Sequence, residues 1–438
     1  MAPKQRRRTS RGARKAGPPP APGPAAPRKT TQRIPVFTSG RRLLYAALGA
    51  LVATSGIAVG LITLVRSGSA TTGCDPDASG WNGAGAGPAN TADAPSAIKD
   101  PGPTWAPQWS YAATAPPAVA GGTVYTATST GTLVALDART GALQWTSDPQ
   151  QNEQGQVATP IAVDGCAAVV ATTYTGADGQ PAGTLRAIDL RTHQRRWGVP
   201  TADEIFSAPQ VVDGVAYAGL SFATGTGSLD RTHVLDGYYL SDGTRAYRKS
   251  FSAAVTASPT SDHQRIWIGD LDQNLYALGP QGTQLWTYTT AGIVSLPAVY
   301  DGSSVIVASA DHHVASLDPG TGHEHWNVAV GDVQAAMATS GDVVVVAESN
   351  GTVHALRRSD GTQAWTTPLH AQVTRGVVAA GDRIFVADDG GTLHVLDRAT
   401  GVETARWTAP APPTGPPAIA ENHLYVACQD GRLYALPL

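Results

Sequence analysis

The sequence predicts an all-β chain: an eight-bladed β-propeller of four-stranded antiparallel blades, preceded by one N-terminal transmembrane helix. Three observations carry that expectation. From residue 105 onward, short apolar runs rich in Val, Ile, Leu and Tyr are punctuated by D-G, N-G or T-G, the pattern of short strands joined by tight turns. Each group of strands closes on an aromatic residue, and the series is Trp109, Trp145, Trp197, Tyr247, Trp286, Trp326, Trp365 and Trp407, with steps of 36, 52, 50, 39, 40, 39 and 42 residues. Strand-only units of roughly this period are too small to bury their own apolar faces and must stack on one another, in a propeller or a solenoid. Finally, the last unit, HLYVACQDGRLYALPL, stops at Leu438 without reaching a closing Trp, while PQWSYAA around Trp109 has no strands of its own to pair with. Joining the two makes one composite blade and closes a ring, which removes free sheet edges.

The elements before the propeller follow from composition. Residues 1–42 hold twelve Lys or Arg and no acid, with many Pro and almost no aliphatic residues, and are expected to form a basic, disordered cytoplasmic tail. Residues 43–65, LLYAALGALVATSGIAVGLITLV, contain no charge over 23 positions, enough for a single membrane crossing. The charge step across them places the N-terminus inside and the propeller outside. A cleaved signal peptide is the competing reading, because Arg41 and Arg42 before Leu43 and Leu44 resemble a twin-arginine signal. Residues 67–104 are rich in Gly, Ala, Pro, Ser and Thr and read as an extracellular linker, leaving 105–438 for the propeller.

Within the propeller, Pro117, Pro160, Pro209, Pro259, Pro297 and Pro417 recur where the first strand of a blade begins. Proline lacks an N–H and tolerates only edges and strand starts, so these mark the innermost strand, beside the central channel. The formal charge of −3 hides an asymmetry: without the twelve charges of the tail and Arg66, residues 67–438 carry −16. An ectodomain that acidic excludes nucleic acid as a partner held by bulk charge. Cys74, Cys166 and Cys428 are too few for a disulfide framework, and the last two, in apolar runs, are expected as buried thiols.

Ala135, Asp137, Thr140, Gly141 and Trp145 spell A-x-D-x-x-T-G-x-x-x-W. Blade two repeats it with Ala187, Asp189, Thr192 and Trp197 but has His193 for glycine; blade five keeps Asp318, Thr321, Gly322 and Trp326; blade six keeps Ala355, Gly361 and Trp365; blade seven keeps Asp397, Thr400 and Gly401, with an extra residue before Trp407. This motif resembles the docking motif of the pyrroloquinoline-quinone-type propeller repeat, and the resemblance covers about three quarters of the chain. It implies that the eight aromatics pack between neighbouring blades as structural docking residues. Quinoprotein dehydrogenases of that superfamily hold their quinone on the propeller axis beneath an adjacent Cys-Cys pair, with a calcium ion. No two cysteines are neighbours here, and no C-x-x-C-H haem site exists. The resemblance therefore implies the fold without the reaction, and neither quinone nor calcium is expected as a cofactor. It is similar in fold to non-catalytic propellers such as the subunit of the outer-membrane assembly machinery.

No G-x-S-x-G elbow, phosphate loop or H-E-x-x-H is present. The remaining candidates are turns. TTYTGADGQPAGT in blade two and LSFATGTGSLDRTH in blade three are far longer than the two- to four-residue turns between second and third strands elsewhere. Equivalent turns of a propeller emerge on one face, so these two, read as loops 172–183 and 220–233, would form a ridge beside the channel mouth. Their aromatic and charged residues, Tyr174, Asp178, Phe222, Asp230 and Arg231, are the candidate contacts for a protein or small-ligand partner. Asp270, Asp272, Asp311, Glu348 and Asp388 from the short turns share that face, although Asp is also simply a turn former. The sequence thus favours an extracytoplasmic binding or scaffold module over its alternative, a quinone-dependent oxidoreductase with an atypical site.

Overall fold

Runs such as VVVVA at Val343–Ala347 and RIFVA at Arg383–Ala387 are buried at every position, which only a strand covered on both faces allows. Outer strands alternate instead: Gln284–Thr289 reads exposed and half-buried in turn. The computed structural model describes residues 105–149, 155–157, 159–176, 179–201, 204–223, 231–279, 281–420 and 422–438. The tail, the expected membrane span and the linker lie outside the described residues, among which no helix is long and apolar enough to cross a membrane.

The strands form eight sheets of four, each strand antiparallel to its neighbours. In blades one to seven the four are consecutive in sequence, and first strands of adjacent blades meet near the axis, as Ala338–Ser340 does with Val377–Ala380 and Ala118–Ala120 with Ala418–Ala420. The predicted prolines stand one or two residues ahead of these innermost strands. Blade eight takes Ala418–Ala420, His423–Ala427 and Arg432–Pro437 from the C-terminus and Trp109–Ala112 from the N-terminal side, with Trp109 opposite Ala435 and Ala112 opposite Arg432. Closure of the ring is therefore a β-ladder, as the sequence predicts.

The repeated motif works as a joint between blades. In the third-to-fourth turn, Asp137 Oδ1 accepts from Thr140 N at 2.8 Å and Thr140 Oγ1 at 2.7 Å, and the same Asp–Thr pairing recurs at Asp318–Thr321 and Asp397–Thr400. The following glycine is left-handed, φ 69° at Gly141 and 72° at Gly322, and the fourth strand then shifts register against the third, between Ala135 and Leu136 and between Ser316 and Leu317. A Cβ at Gly322 would stand 2.7 Å from the Trp286 ring of the preceding blade. That close approach lets the indole Nε1 of Trp286 donate to Pro319 O at 3.1 Å; Trp109, Trp197, Trp326 and Trp365 likewise reach Ala138, Leu240, Arg358 and Arg398. Each such ring removes about 150–250 Å² from water, on the order of 4–6 kcal/mol as an upper bound.

Two expectations change here. Trp407 is two residues late: Ala405 occupies the strand position that Trp145 holds in blade one, and Trp407 pairs with Leu393 further along. Cys166 lies in a turn and is half-buried, not in a strand; Cys428 is fully buried, and desolvation pushes its thiol up to about 12.

Candidate functional site

The expected long loops are mostly strand. Ala167–Thr175 pairs with Pro181–Asp189 out to Thr175 opposite Pro181, and Val215–Ala223 pairs with Arg231–Tyr239 out to Ala223 opposite Arg231. These are nine-residue strands where the other blades have four to six, so blades two and three extend as hairpins beyond the turns of their neighbours. β-branched and aromatic residues in TTYT and LSF continue the alternation, which is why ladder wins over loop. The blade-two hairpin is braced from the side, where Gln156 and Thr173 exchange both backbone hydrogen bonds at 2.8 Å. Tyr174 is half-buried on this hairpin with its hydroxyl 3.3 Å from Thr184 Oγ1. Phe222 and Arg231 sit at the far end of the blade-three ladder, and Asp178 and Asp230 fall outside the described residues.

The turn carboxylates divide into two kinds. Asp270, Glu348 and Asp388 are buried at 0%, 8% and 4% exposure, facing into their own hairpins. In each, a third-strand residue six positions on reaches back: Tyr276 Oη donates to Asp270 at 3.2 Å, His354 Nε2 lies 2.7 Å from Glu348, and His394 Nε2 lies 3.2 Å from Asp388. Backbone donors fill further lone pairs, Asn274 N on Asp270, Gly331 N on Glu348 and Thr392 N on Asp388. Burial raises the Asp270 carboxyl above its usual range. For Glu348 and Asp388 burial acts the same way but is outweighed by these donors, so both are held low. These three close turns and have little left for a ligand. Asp272 and Asp311 are at least partly exposed on the same face, joined there by Asp332, Asp389 and Asp430. Burial works against Asp311, yet the Ser309 hydroxyl and Ala291 N–H hold its carboxyl low.

The connectors from each fourth strand to the next innermost strand run beneath these turns, as in Ser349 N to Asp332 O and Asp389 N to Gln372 O. Each places one half-buried residue between two buried ones at the inner rim: Thr114, Thr256, Ser295, Gln334, Thr374 and Thr414. Blade three's connector alone among the described ones puts a large apolar residue there, Phe206. Its ring packs against the core shared by blades five and six, which includes Leu296 and Met337. It therefore reaches across the mouth and gives the funnel an apolar floor. Sequence reasoning passed over Phe206, although the eight connectors can be aligned on the strand that follows each, and aromatic bulk at that slot is then visible.

This face combines an apolar floor, a hydroxyl and amide rim, an acidic surround and two raised hairpins, and no cluster of three metal-ligating side chains occurs among the described residues. The family model described as outer membrane protein assembly factor BamB matches residues 97–230, 230–377 and 349–437. The chain belongs to this family. BamB from Burkholderia pseudomallei (strain K96243) is 30% identical over 171 residues, 37% of this chain and 42% of that protein. The quinohemoprotein alcohol dehydrogenase ADH-IIG of Pseudomonas putida is 36% identical over 126 residues, 25% of this chain and 17% of the enzyme. The chain thus spans less than half the length of either relative. Among solved structures, BamB from Moraxella catarrhalis superposes with a TM-score of 0.61 at 20% identity, covering 76% of this chain and 98% of its own. The quinohemoprotein alcohol dehydrogenase from Comamonas testosteroni gives 0.63 at 15% identity, with 76% of both chains covered. These likenesses carry the fold alone.

Proposed function

We propose that the protein is a non-catalytic binding or scaffold module, anchored in the membrane through residues 43–65, that holds a protein partner outside the cytoplasm. One observation carries the reading: the two faces of the propeller are unlike. Trp105 Nε1 donates to Pro437 O at 2.7 Å and Leu438 N to Asn422 O at 2.8 Å, so both ends of the described chain leave from one face. The extended hairpins, Phe206 and the acidic turns occupy the other. Relatedness to BamB, whose name is that of an assembly factor, supports a scaffold role.

The alternative, a quinone-dependent oxidoreductase, draws on the likeness to quinohemoprotein dehydrogenases. Two observations favour the scaffold reading over that pair of cofactors. Phe206 packs onto the core of blades five and six, on the side where the resemblance would put a quinone, and the buried carboxylates Asp270, Glu348 and Asp388 are held by tyrosine, histidine and backbone donors. The test is topology. Protease added to intact cells should digest the propeller and leave a stub that stays in the membrane; a released mature protein beginning after residue 66 overturns the anchor. Reconstitution with quinone and calcium that yields a dehydrogenase absorbance and turnover overturns the non-catalytic reading.

A further inference from the structure

We propose that the funnel floored by Phe206 is the partner's docking point, and that it takes one apolar side chain of a polypeptide segment flanked by Lys or Arg. The inference rests on the reading of this face as the binding face, and adds the residue and the chemistry. Interfaces draw most of their energy from a central apolar contact sealed by a polar rim. The inner rim supplies that rim through Thr114, Thr256, Ser295, Gln334, Thr374 and Thr414, all half-buried. Phe206 supplies the centre: it is half-buried, and its packing against the core of blades five and six holds the ring in place before any partner arrives. Rigid anchoring of this kind spares a binder the entropy of ordering a side chain.

Charge complementarity selects the flanks. Asp272, Asp311, Asp332 and Asp430 surround the funnel and are at least partly exposed, joined by Asp389, whose charge is shared with Arg375 at 3.3 Å. Of the arginines on this face whose side chains are described, Arg375 offsets Asp389, Arg186 is buried and donates to Gly131 O, and Arg432 is exposed with its guanidinium on Ser110, so the acids without an arginine partner still outnumber the exposed cations. A cationic segment is therefore steered in and an acidic one repelled, and the steering weakens with salt. The hairpins of blades two and three wall one side of the funnel, so an incoming chain lies along them and not across them.

The test uses a random 12-residue peptide library displayed against the full-length protein in detergent. Selected peptides should carry Lys or Arg around a Leu or aromatic residue, and the affinity of the best one should fall at least tenfold in Phe206→Ala. Because that variant removes a packed ring, Ser295→Lys and Thr414→Lys serve as a second arm; they add cations at the rim, leave the floor intact, and should weaken binding by a similar factor. Asp342→Asn, on the opposite face, should change nothing. Acidic or uncharged selected peptides, undiminished binding to both kinds of variant, or a library that yields no binder each overturn the proposal. Binding lost on trimming the hairpin tips but unaffected by Phe206→Ala and the lysine variants would retain the binding face and reject the funnel. Binding altered only by Asp342→Asn would reject both.

Discussion

Gly322 and His193 fill the same turn position in different blades and meet the preceding ring by opposite means. At Gly322 the absence of a side chain lets Trp286 close on the backbone. At His193 the backbone keeps the left-handed conformation, φ 59°, and the imidazole stacks on Trp145 with centroids 4.4 Å apart and planes within 14°. Gly322→Ala should therefore cost about 2–4 kcal/mol, from left-handed strain plus overlap with the indole, read as a lowered midpoint in thermal or urea unfolding. His193→Gly exchanges strain relief against a lost ring contact and should stay within about 1 kcal/mol of the parent. The sequence shows His193 as a departure from the motif but not its remedy, because stacking depends on where the neighbouring blade's ring lies.

His394 makes a second residue-scale test. It is buried between Asp388 and Glu403, 3.2 Å and 2.8 Å away. Burial alone would lower its pKa, but both carboxylates raise it above 6.5, while Asp388 is held below 3.8. The imidazolium's contribution is fully present below its ordinary value and is lost as pH rises through the raised native one. The Asp388 contribution is present above the ordinary carboxylate value and is lost as pH falls through the depressed native one. His394→Gln should then cost about 1.5–3 kcal/mol between these limits and clearly less in alkaline buffer; a cost independent of pH would remove the charge from the account. The six-residue spacing from Asp388 to His394, Glu348 to His354 and Asp270 to Tyr276 stands in the sequence, and marks these acids as turn closers once the hairpin register is known.

At the level of elements, strand counting was legible and register was not. Trp407 follows the T-G turn and looks like the docking aromatic of blade seven, yet Ala405 stands in that place. The seam is filled partly from outside the blade: Trp105 and Leu438 pack with Trp407 on the core that blades seven and eight share, and Trp105 donates to Pro437 O much as other docking indoles do to their turns. Trp105→Ala should destabilise the propeller by about 1.5–3 kcal/mol, below the 3–5 of a fully buried ring because Trp105 is only half-buried. An unchanged unfolding midpoint would show that Trp407 and Tyr434, 5.5 Å apart, hold the seam alone. The hairpins illustrate the same limit. Composition marked TTYTGADGQPAGT as an irregular insertion, whereas alternation decides for strand, and only the ladder shows how far the pairing runs. Replacing residues 176–180 and 224–230 by two-residue turns should leave stability nearly unchanged, since short surface connections add little to a stacked core; shortening into Thr173 would also break the brace to Gln156.

For the whole molecule, the decisive feature is that the ring is closed by a strand from the opposite end of the described chain. Trp109–Ala112 completes blade eight, docks its indole on Ala138 of blade one, and is followed back along the chain by Trp105 at the seam with blade seven. Blade eight thus touches both neighbours partly through residues that arrive from the opposite end of the sequence. Removing 105–112 would take away two indoles and one strand and leave Arg432–Pro437 as an open edge, beyond what the loss of any single side chain does. Repeat proteins hold together through nearest-neighbour interfaces, so the damage should start at blades one, seven and eight and reach the others only through the opened ring. Deletion of 105–112 should therefore lower the thermal midpoint more than Trp105→Ala and Trp109→Ala combined, and should speed hydrogen exchange first in His423–Ala427 and Arg432–Pro437. Supplying residues 105–112 as a separate peptide should restore protection to those strands. Full protection without the peptide would mean that blade eight stands on three strands, and that residues 105–112 have no part in closure.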